Sequence, residues 1–265
     1  MEYGASLLPV IPLRSSPSEK SEMVTQLLFG DYVKIVDKDD QWWLVEFPDD
    51  GYQGWATGKM LTLVSEEQAA RASKTDARVT ANLILPVAPR DTEDILLIPA
   101  GSILNEYKPA SNSFTAGSKV FSCRQQPLFY DPDSLRSKID EVAESFINIP
   151  YLWGGKNPFG IDCSGLTQII MSIFGIKIPR DAGKQVDHGT PVNFITEAEP
   201  GDLAFFDNEE GEIIHTGIIV SNQQIIHASG RVRRDRIDHQ GIYNSAVRRY
   251  THRLRVIKNL AGYRQ

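Results

Sequence analysis

One cysteine and two histidines have the residue types and surroundings that nucleophilic catalysis requires. Cys163 stands in the motif DCSG at 162–165, directly before an apolar segment. His215 and His227 stand in two apolar segments, EIIHTGIIV and QIIHASG, and the two histidines are 12 residues apart. A thiol attacks a carbonyl when a neighbouring base takes its proton and a third polar group orients that base. We therefore examine Cys163 as a nucleophile and a histidine as its base.

The segment after Cys163 has the period of a buried helix that ends at Gly175. Its apolar residues at i, i+3, i+4, i+7 and i+8 are Leu166, Ile169, Ile170, Ile173 and Phe174. Cys163 then lies in the first turn, where unpaired N–H groups and the helix dipole favour a thiolate. We expect the thiol pKa to be lowered into the range of about 3.5–7.5. The same N–H groups are candidates for holding an oxyanion.

The two histidine segments read as strands joined by a turn, and a hairpin between them would set the imidazoles side by side. A histidine in an apolar strand is often only a hydrogen-bonded core residue. Polar segments surround the other histidines, which we interpret as bystanders: His188, His239 and His252. Metal binding by Cys163, His215 and His227 is a further alternative, but separations of 52 and 12 residues match no compact zinc motif.

The elements that precede these residues are short strands separated by turns. Five strands are predicted within residues 1–64: 10–13, 26–28, 32–36, 42–47 and 54–56. So many short strands in one segment are typical of a small β-barrel. Residues 65–76 read as a helical linker, and residues 77–126 as a second, divergent run of short strands. Residues 134–265 then begin with a helix at 134–148, for which Ser134 is the predicted N-cap, and end in strands at 202–207, 213–220, 224–228 and 253–258.

Composition is that of an ordinary globular chain of 265 residues with a net charge of −6. No apolar run reaches the length of a membrane span, and the first sixteen residues lack the features of a signal peptide. We expect a cytoplasmic protein, or a periplasmic or cell-envelope protein from which a leader was removed. Two cysteines make no disulfide framework, so Cys123 and Cys163 are expected to be free thiols. Basic residues gather between Arg231 and Lys258, where they either line solvent-facing strands or steer an anionic substrate.

Several sequence motifs resemble those of two known families. LRSSPS, QLLFGD, WWLVE and DGYQGW resemble a bacterial SH3-like domain. PYLWGG, DCSG, PRDA, PGDLAFF, HTGIIV and IIHAS follow the order and spacing of NlpC-type peptidases, which are papain-like cysteine peptidases of bacterial cell-wall peptides. The resemblance implies an α+β fold with a papain-like peptidase domain preceded by two small SH3-like barrels. It also implies Cys163 as nucleophile, His215 as base and His227 as the orienting group, with Asn222 as a rival orienter.

The same resemblance implies roles for residues around the nucleophile. Tyr151 would direct its hydroxyl toward the thiol or the oxyanion, and Asp162 and Ser164 would bind substrate, although Asp162 also suits a helix cap. Asp181, paired with Arg180, would form part of the pocket wall. Glu22 and Tyr52 would bind the ammonium of a free substrate N-terminus, the alternative being an exposed glutamate and a surface tyrosine. Glycines at 154 and 155 would let a peptide approach the backbone.

The implied function is hydrolysis of the γ-D-glutamyl–L-diamino acid bond of cell-wall stem peptides, in murein turnover or recycling. A monomer without cofactor, metal, nucleic-acid partner or membrane span is expected. Two alternatives stay open: acyl transfer by the same Cys-His site, and a non-catalytic wall-binding protein that keeps a relic site.

Overall fold

The structure is a computed structural model that describes residues 1–74, 77–92, 94–221 and 223–261, and for 71–74 the backbone only. The chain forms two compact units. The first unit comprises Met1–Phe129 with Trp153–Pro158, and the second comprises Tyr130–Leu152 with Phe159–Gln265. Cys123 and Cys163 belong to different units, and both are free thiols.

The first unit begins with a seven-stranded antiparallel sheet whose strands follow the order β3-β2-β6-β5-β4-β1-β7. The strands are β1 Glu2–Ala5, β2 Val10–Arg14, β3 Met23–Leu28, β4 Tyr32–Asp39, β5 Trp42–Glu46, β6 Gln53–Thr57 and β7 Thr62–Val64. Alternate residues such as Ile11 and Leu13, or Val33 and Ile35, are buried on one face. The five predicted strands are present, and β1 and β7 extend the sheet beyond them.

A second sheet in the same unit has six antiparallel strands in the order β10-β9-β13-β12-β11-β8. The strands are β8 Arg78–Val79, β9 Ile84–Pro89, β10 Leu96–Pro99, β11 Ile103–Lys108, β12 Ser113–Ala116 and β13 Lys119–Cys123. Phe29, from the turn between β3 and β4, packs in the core of this sheet, with its ring 5.0 Å from that of Phe121 and 5.9 Å from that of Phe114. The two sheets of the first unit therefore share a buried aromatic contact.

The predicted helical linker contains α1, Glu66–Lys74, and its residues 75 and 76 lie outside the described part of the chain. A capping box starts the helix, because the Ser65 hydroxyl accepts from the Gln68 N–H while the Gln68 amide oxygen accepts from the Ser65 N–H. None of the helices in the described residues is long and apolar enough to cross a membrane.

The second unit opens on a helix that is shorter than predicted. The helix α2 spans Leu135–Glu144 and follows a 3₁₀ turn at Pro132–Ser134, so the prediction of a helix reaching residue 148 was wrong at its end. Asp131 caps the turn, and the Ser134 hydroxyl bonds back to the Asp131 carbonyl instead of capping α2. The remaining helices are α3 Cys163–Ile173 and α4 Ala182–Gln185; two short strands, β14 Lys156–Asn157 and β15 Gly160–Ile161, precede α3.

The other strands of the second unit form a sheet that closes on itself. They are β16 Thr190–Val192, β17 Leu203–Asp207, β18 Ile213–Ser221, β19 Gln224–Ser229, β20 Arg231–Asp238, β21 Gly241–Asn244 and β22 Arg249–Asn259. Strands β17 to β21 pair in sequence, and β22 pairs with both β17 and β21. Strands β20 and β21 were not predicted, and β22 begins four residues earlier than expected.

Strand register explains why polar side chains gather at one place in this ring. Residues paired across neighbouring strands point to the same face, and Ile219 pairs with Ile225, which pairs with Asp235. Ile219 and Ile225 belong to the apolar core of the ring. Gly217 lies two residues before Ile219 in β18, and His227 lies two residues after Ile225 in β19, and these two residues also pair with each other. The pattern that buries the isoleucines thus also turns His227 and Asp235 to the same face.

Candidate active site

Cys163 is the first residue of α3, as predicted, and its side chain is buried. Asp162 is the N-cap, and its Oδ1 accepts a hydrogen bond from the Gly165 N–H at 2.7 Å. The backbone N–H groups of Ser164 and Thr216 lie close enough to the sulfur to lower the pKa of the Cys163 thiol. Because Thr216 follows His215 in β18, this contact holds the sulfur against the strand that carries the histidine.

The expected low thiol pKa is not found. Burial raises the pKa of Cys163 to about 11, and the neighbouring Asp162 carboxylate raises it further. The N–H groups of Thr216 and Ser164 and the Arg180 charge act in the opposite direction but do not outweigh burial. Sequence reasoning identified the helix start correctly and missed the desolvation, which depends on how other elements cover the sulfur. The resting cysteine is a neutral thiol.

His215 and His227 lie side by side and begin a chain of hydrogen bonds that ends at a carboxylate. His215 Nε2 is 2.9 Å from His227 Nδ1, and His227 Nε2 is 3.1 Å from Asp235 Oδ2. All three side chains are buried. Arg233 forms an ion pair with this carboxylate, in which its Nη2 donates to Asp235 Oδ1 at 2.9 Å and its Nε lies 2.7 Å from Oδ2. Asp235 was not among the predicted site residues.

The hydrogen bonds determine where the protons reside on the two rings. Although burial opposes it, bonds from His227 and Arg233 keep the pKa of Asp235 below its ordinary value, so the carboxylate only accepts. His227 therefore donates from Nε2 and accepts at Nδ1, and His215 donates from Nε2. This leaves Nδ1 of His215 with a lone pair. Burial, followed by the charges of His227 and His252, lowers the pKa of His215 well below 6.5, which makes it a neutral imidazole.

The polar residues beside the nucleophile form a buried network around Arg180. Arg180 Nη1 donates to Asp162 Oδ1 at 3.0 Å and to the Ser164 hydroxyl at 2.8 Å, and its Nη2 pairs with Asp162 Oδ2. The prediction paired Arg180 with Asp181, and the structure shows an ion pair of Arg180 with Asp162. Asp181 is an exposed residue at the start of α4. The network fixes the cap of α3 and with it the position of the thiol.

We expect the substitution Arg180→Met to destabilise the fold by about 3 kcal/mol, since it leaves the buried Asp162 carboxylate without its cation. Urea unfolding followed by circular dichroism measures the change. Lys138→Met is the matched control, because Lys138 forms an exposed ion pair with Glu141 and its loss should leave the midpoint nearly unchanged. Equal midpoints for the wild type and Arg180→Met would show that the buried pair does not support the fold.

Tyr151 belongs to the second unit, and the charges of neighbouring site residues affect the pKa of its phenol. Burial, followed by the Cys163 and Asp162 charges, raises the pKa of the Tyr151 phenol to about 12. The phenol therefore keeps its proton at neutral pH and is able to donate a hydrogen bond. An isolated bridge pairs Tyr151 with Ile161, just before the cap of α3.

Glu22 and Tyr52 lie in the first unit. Glu22 is exposed and its Oε1 accepts a hydrogen bond from the Trp153 indole at 2.5 Å. The Tyr52 hydroxyl is half-buried, 3.5 Å from the Val24 carbonyl oxygen. Gly154 has a φ of +75°, and a Cβ there would lie 2.2 Å from the Met23 carbonyl oxygen, so the backbone itself requires glycine at this position.

One histidine that the sequence analysis set aside lies in the cluster. His252, on β22, stacks on His215 with ring centroids 4.2 Å apart and an interplanar angle of 24°. Burial lowers the pKa of His252 to about 4, and the charge of His227 adds to the shift. The neighbours of His252 in the sequence are polar and suggest a solvent-exposed segment, but alternate residues of a strand face opposite sides, and His252 faces the cluster. Asn222 lies outside the described residues.

Comparisons with known proteins identify both parts of the chain. Residues 148–255 match the model of the NlpC/P60 family, and residues 13–60 match the bacterial dipeptidyl-peptidase SH3 domain. The chain contains an NlpC/P60 cysteine peptidase domain. The match includes Cys163, His215 and His227, together with Asp235 and His252. The predictions of this peptidase family and of a bacterial SH3 domain are therefore confirmed.

Curated relatives extend over both domains. A γ-D-glutamyl-L-lysine dipeptidyl-peptidase of Bacillus cereus is 29% identical over 227 residues, which cover 78% of this chain and 68% of the relative. Dipeptidyl-peptidase 6 of Lysinibacillus sphaericus is 27% identical over 236 residues, covering 82% and 84% of the two chains.

Solved structures show that the fold is shared. A crystal structure of an NlpC/P60 family protein from Bacillus cereus is similar with a TM-score of 0.80 and 19% identity, covering 98% of this chain and 99% of the other. An NlpC/P60 endopeptidase from Photobacterium damselae subsp. piscicida has a TM-score of 0.71 and 17% identity, covering 96% and 70%. At these identities the likeness establishes the NlpC/P60 fold, and the activity is argued from the site.

Proposed function

We propose that the chain hydrolyses the γ-D-glutamyl–L-diamino acid bond of cell-wall stem peptides, with Cys163 as nucleophile, His215 as base and His227 as the group that orients His215. The observation that carries the proposal is the hydrogen-bonded chain from His215 through His227 to Asp235, beside a thiol at the start of a helix. The Bacillus cereus relative supplies the bond, since its name specifies a γ-D-glutamyl-L-lysine linkage.

Acylation starts from a neutral thiol and a neutral imidazole. The sulfur attacks the γ-carbonyl carbon of the D-glutamyl residue while its proton moves to Nδ1 of His215. Nε2–H of His215 keeps its bond to His227, whose own Nε2–H points to Asp235, so the carboxylate stabilises the imidazolium without becoming protonated. Because both reacting groups start uncharged in a buried site, charge develops only as the bond forms.

The oxyanion of the tetrahedral intermediate is assigned to donors around the sulfur. N–H groups in the first turn of α3 carry the positive end of the helix dipole. The Tyr151 phenol, which stays protonated because its pKa is raised to about 12, supplies a second kind of donor. Collapse of the intermediate breaks the C–N bond, and the imidazolium gives its proton to the leaving amine. Water then attacks the thioester with His215 again as base, which releases the peptide acid and the free thiol.

Roles in substrate binding are proposed for residues of each unit considered by itself. The Asp162 carboxylate already caps α3 and the Ser164 hydroxyl already accepts a hydrogen bond from Arg180. We therefore propose that the main role of these two residues is to position the thiol. Asp181 is exposed and is proposed to contact the peptide. Glu22 and Tyr52 are proposed to bind a free N-terminal ammonium. The six-stranded sheet of the first unit is proposed to be a second SH3-like barrel.

Mass spectrometry of products from the tripeptide L-Ala-γ-D-Glu-L-Lys tests the proposed bond. The expected products are L-Ala-D-Glu and free lysine, and a diaminopimelate tripeptide should be cut at the same position. Added hydroxylamine separates hydrolysis from acyl transfer, because a transferase would form the hydroxamate in preference to the acid. Release of alanine, or no release by a protein with an intact Cys163 thiol, would overturn the proposal.

N-acetylation of the tripeptide is expected to lower kcat/KM about thirtyfold, since a desolvated contact to the ammonium contributes about 2 kcal/mol. Glu22→Gln should reduce the difference between the free and the acetylated peptide and leave cleavage of the acetylated form unchanged. Glu19→Gln is the control: Glu19 belongs to the same loop and pairs with Arg14. Efficient cleavage of acetylated peptide and of intact murein by the wild type would contradict the role of Glu22 and Tyr52.

A spectroscopic titration of the thiol should show no Cys163 thiolate at neutral pH. The pKa raised to about 11 by burial means that the folded protein holds the proton more tightly than an exposed cysteine does, so thiolate absorbance rises only in strongly alkaline solution. The difference spectrum between the wild type and Cys163→Ala isolates this signal from that of Cys123. Thiolate absorbance in that spectrum at pH 7 would show that a thiolate–imidazolium pair preexists.

A further inference from the structure

Three histidines on three strands bring their ring nitrogens together at one point of the closed sheet. One nitrogen from each of His215, His227 and His252 can be chosen so that all lie within 4.8 Å of one another. Nε2 of His215 and Nδ1 of His227 face each other at 2.9 Å. The ring of His252 stacks on His215 and stands edge-on to His227 at a centroid distance of 5.6 Å.

This set has the chemistry of a zinc site. Imidazole nitrogens bind zinc at about 2.0–2.1 Å, which gives tetrahedral edges of about 3.4 Å between ligand atoms. Binding would therefore require Nε2 of His215 and Nδ1 of His227 to move apart slightly from 2.9 Å, and His252 is the half-buried member of the three. Three histidines leave one position of the tetrahedron for water.

The hydrogen bonds behind the rings orient them toward such an ion. His227 Nε2 bonds to the Asp235 carboxylate, the arrangement that typically fixes a zinc-bound histidine from behind. The Thr251 hydroxyl lies 3.5 Å from the Ile242 carbonyl oxygen, to which it donates, and 2.9 Å from His252 Nδ1. The hydroxyl therefore accepts from Nδ1–H, and Nε2 of His252 keeps a lone pair.

We propose that His215, His227 and His252 form a binding site for a divalent transition metal ion, represented by Zn²⁺, and that the occupied site is inactive. The ion takes the place of the proton between Nε2 of His215 and Nδ1 of His227. The displaced proton moves to Nδ1 of His215, and with Nδ1 protonated and a dication on Nε2 the ring no longer accepts the thiol proton. The inhibitory part rests on the proposed function, whereas binding of the ion does not.

Zinc sulfate titration of the full chain, with a chromophoric chelator as competitor, measures the site directly. We expect one Zn²⁺ per chain in the wild type. His252→Phe keeps an aromatic ring against His215 but removes the nitrogen donor, and should weaken binding at least about 100-fold. His239→Phe, at an exposed histidine, is the matched control and should bind as the wild type does. Co²⁺ in place of Zn²⁺ should show the visible absorption of a tetrahedral complex, lost in His252→Phe.

Activity on the tripeptide is the second readout. Zinc should inhibit the wild type and His239→Phe at the concentrations that fill the site, and EDTA should restore hydrolysis. One-to-one zinc binding that is lost in His252→Phe would support the metal site. If the metal-free protein in the same experiment does not hydrolyse the tripeptide, the proposed function is overturned while the metal site stands. The three-histidine site would be overturned if the protein hydrolyses the tripeptide but His252→Phe binds zinc as tightly as the wild type. Loss of zinc binding in Cys163→Ala would overturn it as well.

Discussion

Cys163→Ala and His215→Ala are each expected to lower kcat/KM for the tripeptide by at least about 10⁴-fold. The first removes the sulfur that forms the thioester, and the second removes the proposed acceptor of the thiol proton. Since the thiol pKa is raised to about 11, almost no thiolate forms at neutral pH without His215. The base is therefore needed as much as the nucleophile, and the double variant should be no slower than either single one.

Alkylation by iodoacetamide separates the chemical role of His215 from a structural one. Both cysteines are buried, and burial raises the pKa of Cys123 to about 12. Cys163 should nevertheless react faster, because His215 accepts its proton during the attack, and His215→Ala should remove this advantage without changing the Cys123 rate. Equal labelling of Cys163 in the wild type and in His215→Ala would indicate that the histidine is not the base.

Sequence periodicity was sufficient to predict the placement of the main candidate residues. The apolar repeat after Cys163 requires a helix whose first turn contains the thiol, and α3 starts at that residue. The turn between two apolar strands requires a hairpin, and its register pairs Gly217 with His227, so that His215 and His227 meet at 2.9 Å. These are local rules, in which a few neighbouring residues determine the geometry.

The residues that were missed depend on long-range packing. Asp235 lies in RVRRDRID, a charged strand whose buried face becomes visible only once Ile225 is known to pair with it. His252 reaches His215 because β22 closes the ring by pairing with both β17 and β21. The raised thiol pKa likewise results from desolvation by elements distant in sequence. Burial that arises from closure of a sheet cannot be predicted from the sequence of any one of its strands.

Asp235→Asn is the other substitution with a large expected effect, a fall in kcat of about 10²- to 10⁴-fold. Arg233 Nη2 donates to Asp235 Oδ1 at 2.9 Å, and Arg233 Nε lies 2.7 Å from Oδ2 as part of the ion pair. In the asparagine variant Arg233 still donates its hydrogen bond to the side-chain oxygen, so the amide NH₂ faces Nε2 of His227. The ring must then accept at Nε2 and donate from Nδ1, so His215 accepts at Nε2 and carries its proton on Nδ1.

That tautomer has no lone pair for the thiol proton, so the loss should appear in kcat while KM changes little. Asp235→Ala is the matched variant, because it imposes neither tautomer on His227 and should be more active than Asp235→Asn despite the larger truncation. A merely structural role for Asp235 predicts the reverse order, since asparagine preserves the shape of the side chain. Nitrogen-15 chemical shifts of the two rings should show the exchange of protonated nitrogens in Asp235→Asn. Wild-type kcat in that variant, or lower activity in Asp235→Ala, would rule out control of the His215 tautomer by this carboxylate.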